Sequence, residues 1–518
     1  MYATTGTMFD QSVEKYRNQE AIVEVKSGRR MTYGQWQERV HQVCSALQAE
    51  GVRKGDRVST FLYNTEMLAT VYFACGKIGA IINPINFRLN SDELAFIMHD
   101  AEPKVFLFEE ALQTVVEGIA PDFGQTVFWY EGGNPPAFSK RVRDMAFSTQ
   151  FERVEVDEND PYAMMYTSGT TGRPKGVLHR HRDVMEQALI LTGVMGYRSG
   201  DAGLVTAPMF HCAELHCAFV PRVLAGAKNV ILHQFDPKRV LETIEREGIT
   251  TLFAAPTMWS MMLEEETSHY NTSSLRNGLY GAAPMAPSLV RKLHDELKIE
   301  LIQAYGQTEM GPAIAFLLPH EQLIKAGAAG KAAYHHEIRV VKPETTGPAE
   351  PGDVCAVGEI GEIIVKGSCT MIGYHGRSEA TKHALYKGWY HTGDLGYVDR
   401  EGYLYIADRI DDMIISGGEN IYPREVEDAL HAHEGVGDVA VLGTPDEKWG
   451  EVVTAVIVPK SNTLTAQELD DYLKNGKALA GYKRPRNYRF TPSLPRNASG
   501  KIQKFLLKEN LSNELHIN

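Results

Sequence analysis

Short apolar runs alternate along this chain with stretches whose apolar residues recur at helical spacing, which predicts strands interleaved with helices and an α/β fold. Residues 161–165 read as the end of a buried strand, and residues 203–209, 228–233 and 299–304 read as further buried strands. Asp236-Pro237 predicts a helix start, with Asp as N-cap, Pro at the first helical position and Val240, Leu241 and Ile244 on one face. Thr465-Ala466-Gln467-Glu468 is a capping box ahead of Leu469 and Leu473. The texture changes after Gly358: residues 359–365 read as a strand, and residues 388–408 as strands broken by a hairpin turn at Asp399-Arg400-Glu401-Gly402. A smaller βα pattern runs from Ile414 onward. The polar segment Asp408-Arg409-Ile410-Asp411-Asp412 separates the two textures, so the expected domains are 1–410 and 411–518.

The bulk properties narrow the function classes. At 518 residues the chain exceeds one ordinary core. A net charge of −13 argues against a general nucleic-acid binder, though not against a local basic pocket for a small anion. Six scattered cysteines without a C-x-x-C pair read as reduced thiols in a cytoplasmic setting, with no zinc site. The first residues show no signal-peptide pattern, and no run of eighteen uncharged apolar residues predicts a spanning helix. Peripheral membrane contact and a homodimer stay open.

The densest chemistry lies in Tyr166-Thr167-Ser168-Gly169-Thr170-Thr171-Gly172-Arg173-Pro174-Lys175-Gly176. Glycines let a backbone turn its N–H groups toward one anion, and hydroxyls and a lysine add donors and charge, which suits a polyphosphate. The spacing is not that of the P-loop, because Gly176 rather than Ser or Thr follows the lysine. Four weaker clusters accompany it. Tyr305-Gly306-Gln307-Thr308-Glu309 follows a strand-like stretch, where α/β sheets place ligands; it offers a flat ring, a donor and a hard oxygen for Mg²⁺. Trp389-Tyr390-His391-Thr392-Gly393-Asp394 ends in a carboxylate suited to ribose hydroxyls. Arg409 with Asp411, and the loop Pro495-Arg496-Asn497-Ala498-Ser499-Gly500-Lys501, complete the set. Each alone reads as readily as a turn or a solvated surface.

The order and spacing of all five clusters resemble the adenylate-forming superfamily of acyl-CoA synthetases, luciferases and peptide-synthetase adenylation domains. Gly393-Asp394 and the stretch from Arg409 to Asn420 look like its acyl-CoA or aryl-CoA ligase branch. The resemblance implies a large N-terminal domain of packed mixed sheets with helices and a small mobile α+β C-terminal domain, hinged at Asp411. It implies ATP, Mg²⁺ and CoA as cofactor and co-substrates. Thr167, Ser168, Gly169, Thr170, Thr171, Gly172 and Lys175 would wrap the β- and γ-phosphates. Gly281, Ala282, Ala283 and Tyr305 would hold adenine, with Gly306 and Gln307 alongside. Thr308 would touch the α-phosphate, Glu309 would hold Mg²⁺, and Asp394 with Arg409 would bind the ribose. Lys501 would bridge carboxylate and α-phosphate, and Gly417 and Gly418 would line the pantetheine tunnel.

His211, in Pro208-Met209-Phe210-His211, resembles the family's aromatic-His motif beside the acyl site. The motif usually continues toward a glycine, whereas here it reads Cys212-Ala213-Glu214-Leu215-His216. A glutamate beside an apolar pocket is costly unless paired, so Glu214 is expected to meet His216 or Arg222, or to point away. The resemblance implies conversion of a carboxylic acid, ATP and CoA to acyl-CoA, AMP and pyrophosphate. Met209, Met310, Ala313 and Ala315, placed near the pocket, favour a medium- to long-chain fatty acid, with an aryl acid as the alternative. A luciferase-like oxidase shares the first half-reaction. A carrier-loading enzyme is disfavoured by the short tail after Lys501.

Overall fold

The computed structural model describes residues 4–142, 148–167, 174–283, 285–344, 347–417, 419–446, 448–475, 479–496 and 502–515. It divides into two compact units, 1–337 with 365–390 and 338–364 with 391–518. The divisions fall within the strands His336–Val341, Gly361–Gly367 and Trp389–Val398.

The first unit holds two large sheets among its described residues. In one, Glu20–Glu24, Lys228–Ile231, Ala202–Val205, Thr251–Phe253, Asn277–Gly281 and Glu300–Gly306 run parallel in that order. Antiparallel strands close its edges, Arg29–Thr32 at one side and Ala313–Leu317 with Lys331–Ala332 at the other. In the other sheet, Pro161–Thr167, Ile81–Pro84, Arg57–Phe61, Val105–Glu109, Val127–Glu131 and Ser139–Arg141 are parallel neighbours. Lys175–Arg180 and Gly373–Tyr374 extend that sheet antiparallel. Helices cover the sheets because their apolar stripes match: Tyr33–Ala49 and Glu66–Ile78 bury Trp36, Val40, Tyr72 and Phe73 in the largest core.

The sequence signals translate into local structure with small shifts. Asp236 caps Pro237–Glu247 by accepting from Arg239 N at 2.8 Å, and Val240, Leu241 and Ile244 are buried. The strand expected over 203–209 is instead Ala202–Val205; Pro208 cannot donate to a ladder, and the chain turns off to present His211. The strand expected over 299–304 continues as Glu300–Gly306, so Tyr305 and Gly306 belong to its carboxyl end.

In the second unit, Val436–Asp446 and Gly450–Pro459 form a long antiparallel pair, flanked by Ile414–Ser416, Glu419–Ile421 and Asn487–Phe490. Pro423–His431 and Ala466–Asn475 pack Val426, Leu430, Leu469 and Leu473 against that sheet. The turn at 399–402 joins Trp389–Val398 to Leu404–Arg409, and Asp399 Oδ1 accepts from Glu401 N and Tyr403 N at 2.9 Å. The expected α/β architecture, a large N-terminal part with a smaller α+β part after it, is the one observed. Among the described residues no helix is long and apolar enough to cross a membrane.

Candidate active site

Thr167 and Lys175 face each other as the last described pair of the antiparallel ladder between Pro161–Thr167 and Lys175–Arg180. They flank the Gly/Ser/Thr loop, whose Ser168, Gly169, Thr170, Thr171 and Gly172 lie outside the described residues. The Lys175 ammonium stands 5.1 Å from the centre of the Tyr374 ring. The Tyr374 hydroxyl donates to Glu309 Oε1 at 2.8 Å. Cation, phenol and carboxylate therefore lie in line from the loop's flank to a buried acid. No motif announced Tyr374; the pairing of Gly373–Tyr374 with Leu178 and Val177 brings it there.

Gly281 ends one parallel strand beside Ala304 of the next, and Ala282 and Ala283 follow it at the surface, Ala282 with a positive φ of 68°. Gly306 is held tightly: a Cβ there would stand 1.8 Å from the carbonyl oxygen of Pro312. Gly306→Ala must therefore push the backbone outward beside Tyr305 and Gln307. We expect roughly a ten- to hundredfold fall in kcat/KM for ATP with the fold kept, read from AMP formation against ATP concentration and from circular dichroism. Gln307 accepts from the Tyr390 hydroxyl. Thr308, Glu309 and Met310 form a single 3₁₀ turn, and the Thr308 carbonyl accepts from His179 Nε2 at 2.7 Å. The Thr308 hydroxyl lies 3.3 Å from the buried Cys212 sulfur. His179 and Cys212 thus support the turn, and their contacts come from the fold alone.

His211 caps the short helix Cys212–Glu214, its Nδ1 accepting from Ala213 N at 3.2 Å. Packing around the ring pushes its pKa down to about 4, so it stays neutral at ordinary pH. Of the two partners expected for Glu214, the structure selects Arg222: Nη2 donates to Glu214 Oε1 at 2.8 Å, with both side chains fully buried. His216 is equally buried and its ring nitrogens have no partner among the described residues. Burial pushes its pKa down to about 3. A histidine held neutral in the fold takes up a proton on unfolding once pH drops below its ordinary range near 6.5. Its stabilisation is therefore complete above that range and lost as pH falls toward the folded value, at about 1.4 kcal/mol per pH unit. His181, pushed down to about 4 by burial, acts in the same direction. His216→Phe should flatten the loss of stability between pH 6.5 and 4, measured by urea unfolding at several pH values. An unchanged slope would place the proton uptake elsewhere.

In the second unit Asp394 and Arg409 are opposite one another in register, with Arg409 Nε 2.8 Å from Asp394 Oδ1. Gly393 has a φ of 67° and Thr392 Oγ1 accepts from Asp394 N at 3.0 Å, which fixes the carboxylate at 5% exposure. Arg409 was paired with Asp411 in the sequence; the ladder pairs it with Asp394. Asp411 sits in the 3₁₀ turn Ile410–Asp412. Gly417, at φ 61°, donates its N–H to the Trp449 carbonyl at 2.8 Å, and a Cβ there would meet the Trp449 ring at 2.7 Å. The Arg486 guanidinium lies 4.6 Å from the centre of that ring. Gly418 and Lys501 lie outside the described residues.

The donor set suits Mg²⁺ with nucleotide phosphates: Glu309 offers a fixed, buried carboxylate, and this ion is commonly held by one or two carboxylates plus phosphate oxygens. Among the described residues no group of three or more His, Cys, Asp or Glu forms a closed metal cage.

Comparison with known proteins agrees with this layout. The AMP-binding enzyme family matches residues 9–375, and the AMP-binding enzyme C-terminal domain matches residues 425–501. The chain is 35% identical over 511 residues to a long-chain-fatty-acid–CoA ligase, FadD13, of Mycobacterium tuberculosis, covering 98% of each chain. It is 37% identical over 480 residues to a feruloyl-CoA synthase of Amycolatopsis sp, covering 92% of this chain and 93% of that one. Its structure is similar to the crystal structure of an anthranilate CoA ligase in complex with anthranoyl-AMP, with a TM-score of 0.90, 26% identity, and coverage of 99% and 98%.

Proposed function

This chain belongs to the AMP-binding enzyme family, whose CoA-ligase members join a carboxylic acid to CoA through an adenylate, and from that premise we propose that it activates a medium- to long-chain fatty acid. The acid and ATP would give acyl-AMP and pyrophosphate, and CoA would then take the acyl group and release AMP. The line from Lys175 through Tyr374 to Glu309 carries this reading. It puts a cation and a fixed carboxylate at the flank of a loop rich in phosphate-binding groups.

A carboxylate attacks a polyphosphate only once like-charge repulsion is cancelled, so charge placement and positioning do most of the catalytic work. Thr167 to Lys175 would hold the β- and γ-phosphates, and Thr308 the α-phosphate, on a turn braced by His179 and Cys212. Gly281, Ala282, Ala283 and Tyr305 would flank adenine. Asp394 would accept from the ribose hydroxyls while Arg409 holds it ionised and oriented. Glu309 would hold Mg²⁺, which when bound neutralises phosphate charge. His211, neutral, would position the acid's carboxylate without adding charge. Lys501 would bridge the two reacting groups, and a hinge at Asp411 would then exchange it for the Gly417-Gly418 loop along the pantetheine path. Six free cysteines support a reducing, cytoplasmic setting.

An aryl acid is the second reading, favoured by the identity to the feruloyl-CoA synthase. The deciding measurement is acid-dependent pyrophosphate release with ATP and Mg²⁺, with and without CoA, across acetate, octanoate, palmitate and benzoate. Release peaking with octanoate or palmitate, with AMP appearing when CoA is added, is the expected result. A peak with benzoate would move the proposal to the aryl branch, and release without CoA-dependent AMP would remove the ligase half-reaction.

A further inference from the structure

The pairing register orders the side chains on one face of the larger parallel sheet. Gly281 and Ala304 form a row at the carboxyl ends, and Leu279, Ile302 and Phe253 form the next row on the same face. The row below that is polar: Asn229, Gly203, Thr251 and Asn277 are neighbours across four strands. Four residues of strand separate Asn277 from Gly281, about 13 Å at ~3.3 Å per residue. Between the top and bottom rows the apolar cluster is walled by small residues, Ala207, Cys217, Ala218 and Ala313, with Ala213 and Ala304 partly exposed at the upper end.

A polar row buried at the bottom of an apolar cluster needs partners, and several are missing. Among the described residues neither amide atom of Asn229 is paired, nor are Thr251 Oγ1 and Asn277 Oδ1. Arg222 fills the space that Gly203 leaves, its Nη1 only 2.4 Å from where a Cβ would stand. Arg222 and Glu214 are joined by one hydrogen bond, which leaves Arg222 Nη1 and Glu214 Oε2 unpaired and fully buried. Buried polar atoms in native folds are nearly always satisfied. The backbone around Leu215–Phe219 is a π-helical turn, a distortion frequent at functional sites.

The chemistry of the two orphans is selective. One is a donor and the other an acceptor on the same ion pair, so the complementary group must both accept and donate. A hydroxyl does both. A second carboxylate only accepts and would meet Glu214 at like charge, and a methyl end would leave both atoms unpaired. We propose that this polar row is the far end of the acid-binding slot, and that the acid carries a hydroxyl at the end remote from its carboxylate. The hydroxyl donates to Glu214 Oε2 and accepts from Arg222 Nη1. The proposal rests on the ligase reading above and names its substrate class.

The test is AMP formation with ATP, Mg²⁺ and CoA for matched acids: decanoate, ω-hydroxydecanoate and decanedioate, then cinnamate and para-hydroxycinnamate. In the series that fits the slot, kcat/KM for the hydroxy acid should exceed that for its plain counterpart by about tenfold or more, since a buried site built for a hydroxyl rejects the analogue lacking it. Plain acids equal to or better than both hydroxy acids, or decanedioate best of all, would overturn the proposal while the ligase reading stands. Silence with every acid would overturn that reading and this one with it. The double variant Glu214→Leu/Arg222→Met removes both charges together. It should bring the hydroxy-to-plain ratio within about twofold by raising activity on the plain acid, with KM for ATP unchanged; a preserved ratio would overturn the assignment. The wild-type panel decides the matter even if that variant does not fold.

Discussion

Replacing Lys501 by alanine should cut acid-dependent pyrophosphate release by about a hundred- to a thousandfold while leaving thioester formation from supplied acyl-AMP near its normal rate. The physical ground is the first half-reaction itself. A carboxylate approaches an α-phosphate that is also anionic, and a single cation between them stabilises charge that concentrates only as they join. The second half-reaction attacks an acyl carbonyl from which AMP departs, and a cation in the path of the thiol contributes nothing there. The two rates are measured separately, pyrophosphate release for the first and CoA consumption with synthetic acyl-AMP for the second. An equal fall in both would show that the lysine serves the structure or both steps, and the exchange of Lys501 for the Gly417-Gly418 loop would lose its basis.

Glu214→Ala should cost about 3–5 kcal/mol of stability, because it strips the counter-charge from a guanidinium with no exposure to water. The expected sign of the size is a fall in the thermal midpoint on the order of 10 °C. Arg222→Met in the same chain should restore much of the loss, since two apolar side chains replace an ion pair in an apolar setting at little net cost. Differential scanning calorimetry of wild type, single and double variants forms the cycle. Additive losses from the two substitutions would mean that the residues do not act as a pair, whatever their separation of 2.8 Å suggests.

The chain's larger features were legible because they depend on local rules. The Asp236-Pro237 cap, the turn at Asp399 and the alternation of strand and helix are properties of a few adjacent residues, and each took the form that local chemistry dictates. The phosphate loop and the Tyr305 to Glu309 cluster were legible for a similar reason: they are dense, and they follow strands. What the sequence hid depends on pairing across distance. Tyr374 touches Glu309 because a two-residue edge strand registers against Lys175–Arg180. Arg409 meets Asp394 because of ladder register, not proximity along the chain. The polar row of Asn229, Thr251 and Asn277 is invisible in any single segment, since each strand contributes one unremarked residue.

The line of Lys175, Tyr374 and Glu309 joins positions 175, 309 and 374 of the chain. A ribosome delivers these in order, so the loop and its lysine emerge long before the residue that connects them to the acid. A nascent chain halted anywhere before residue 374 holds the phosphate-binding segment but not the assembled charge line. Adenylating power therefore switches on late in synthesis, after the first unit's central strands have been laid down. Incomplete chains are thereby kept from consuming ATP.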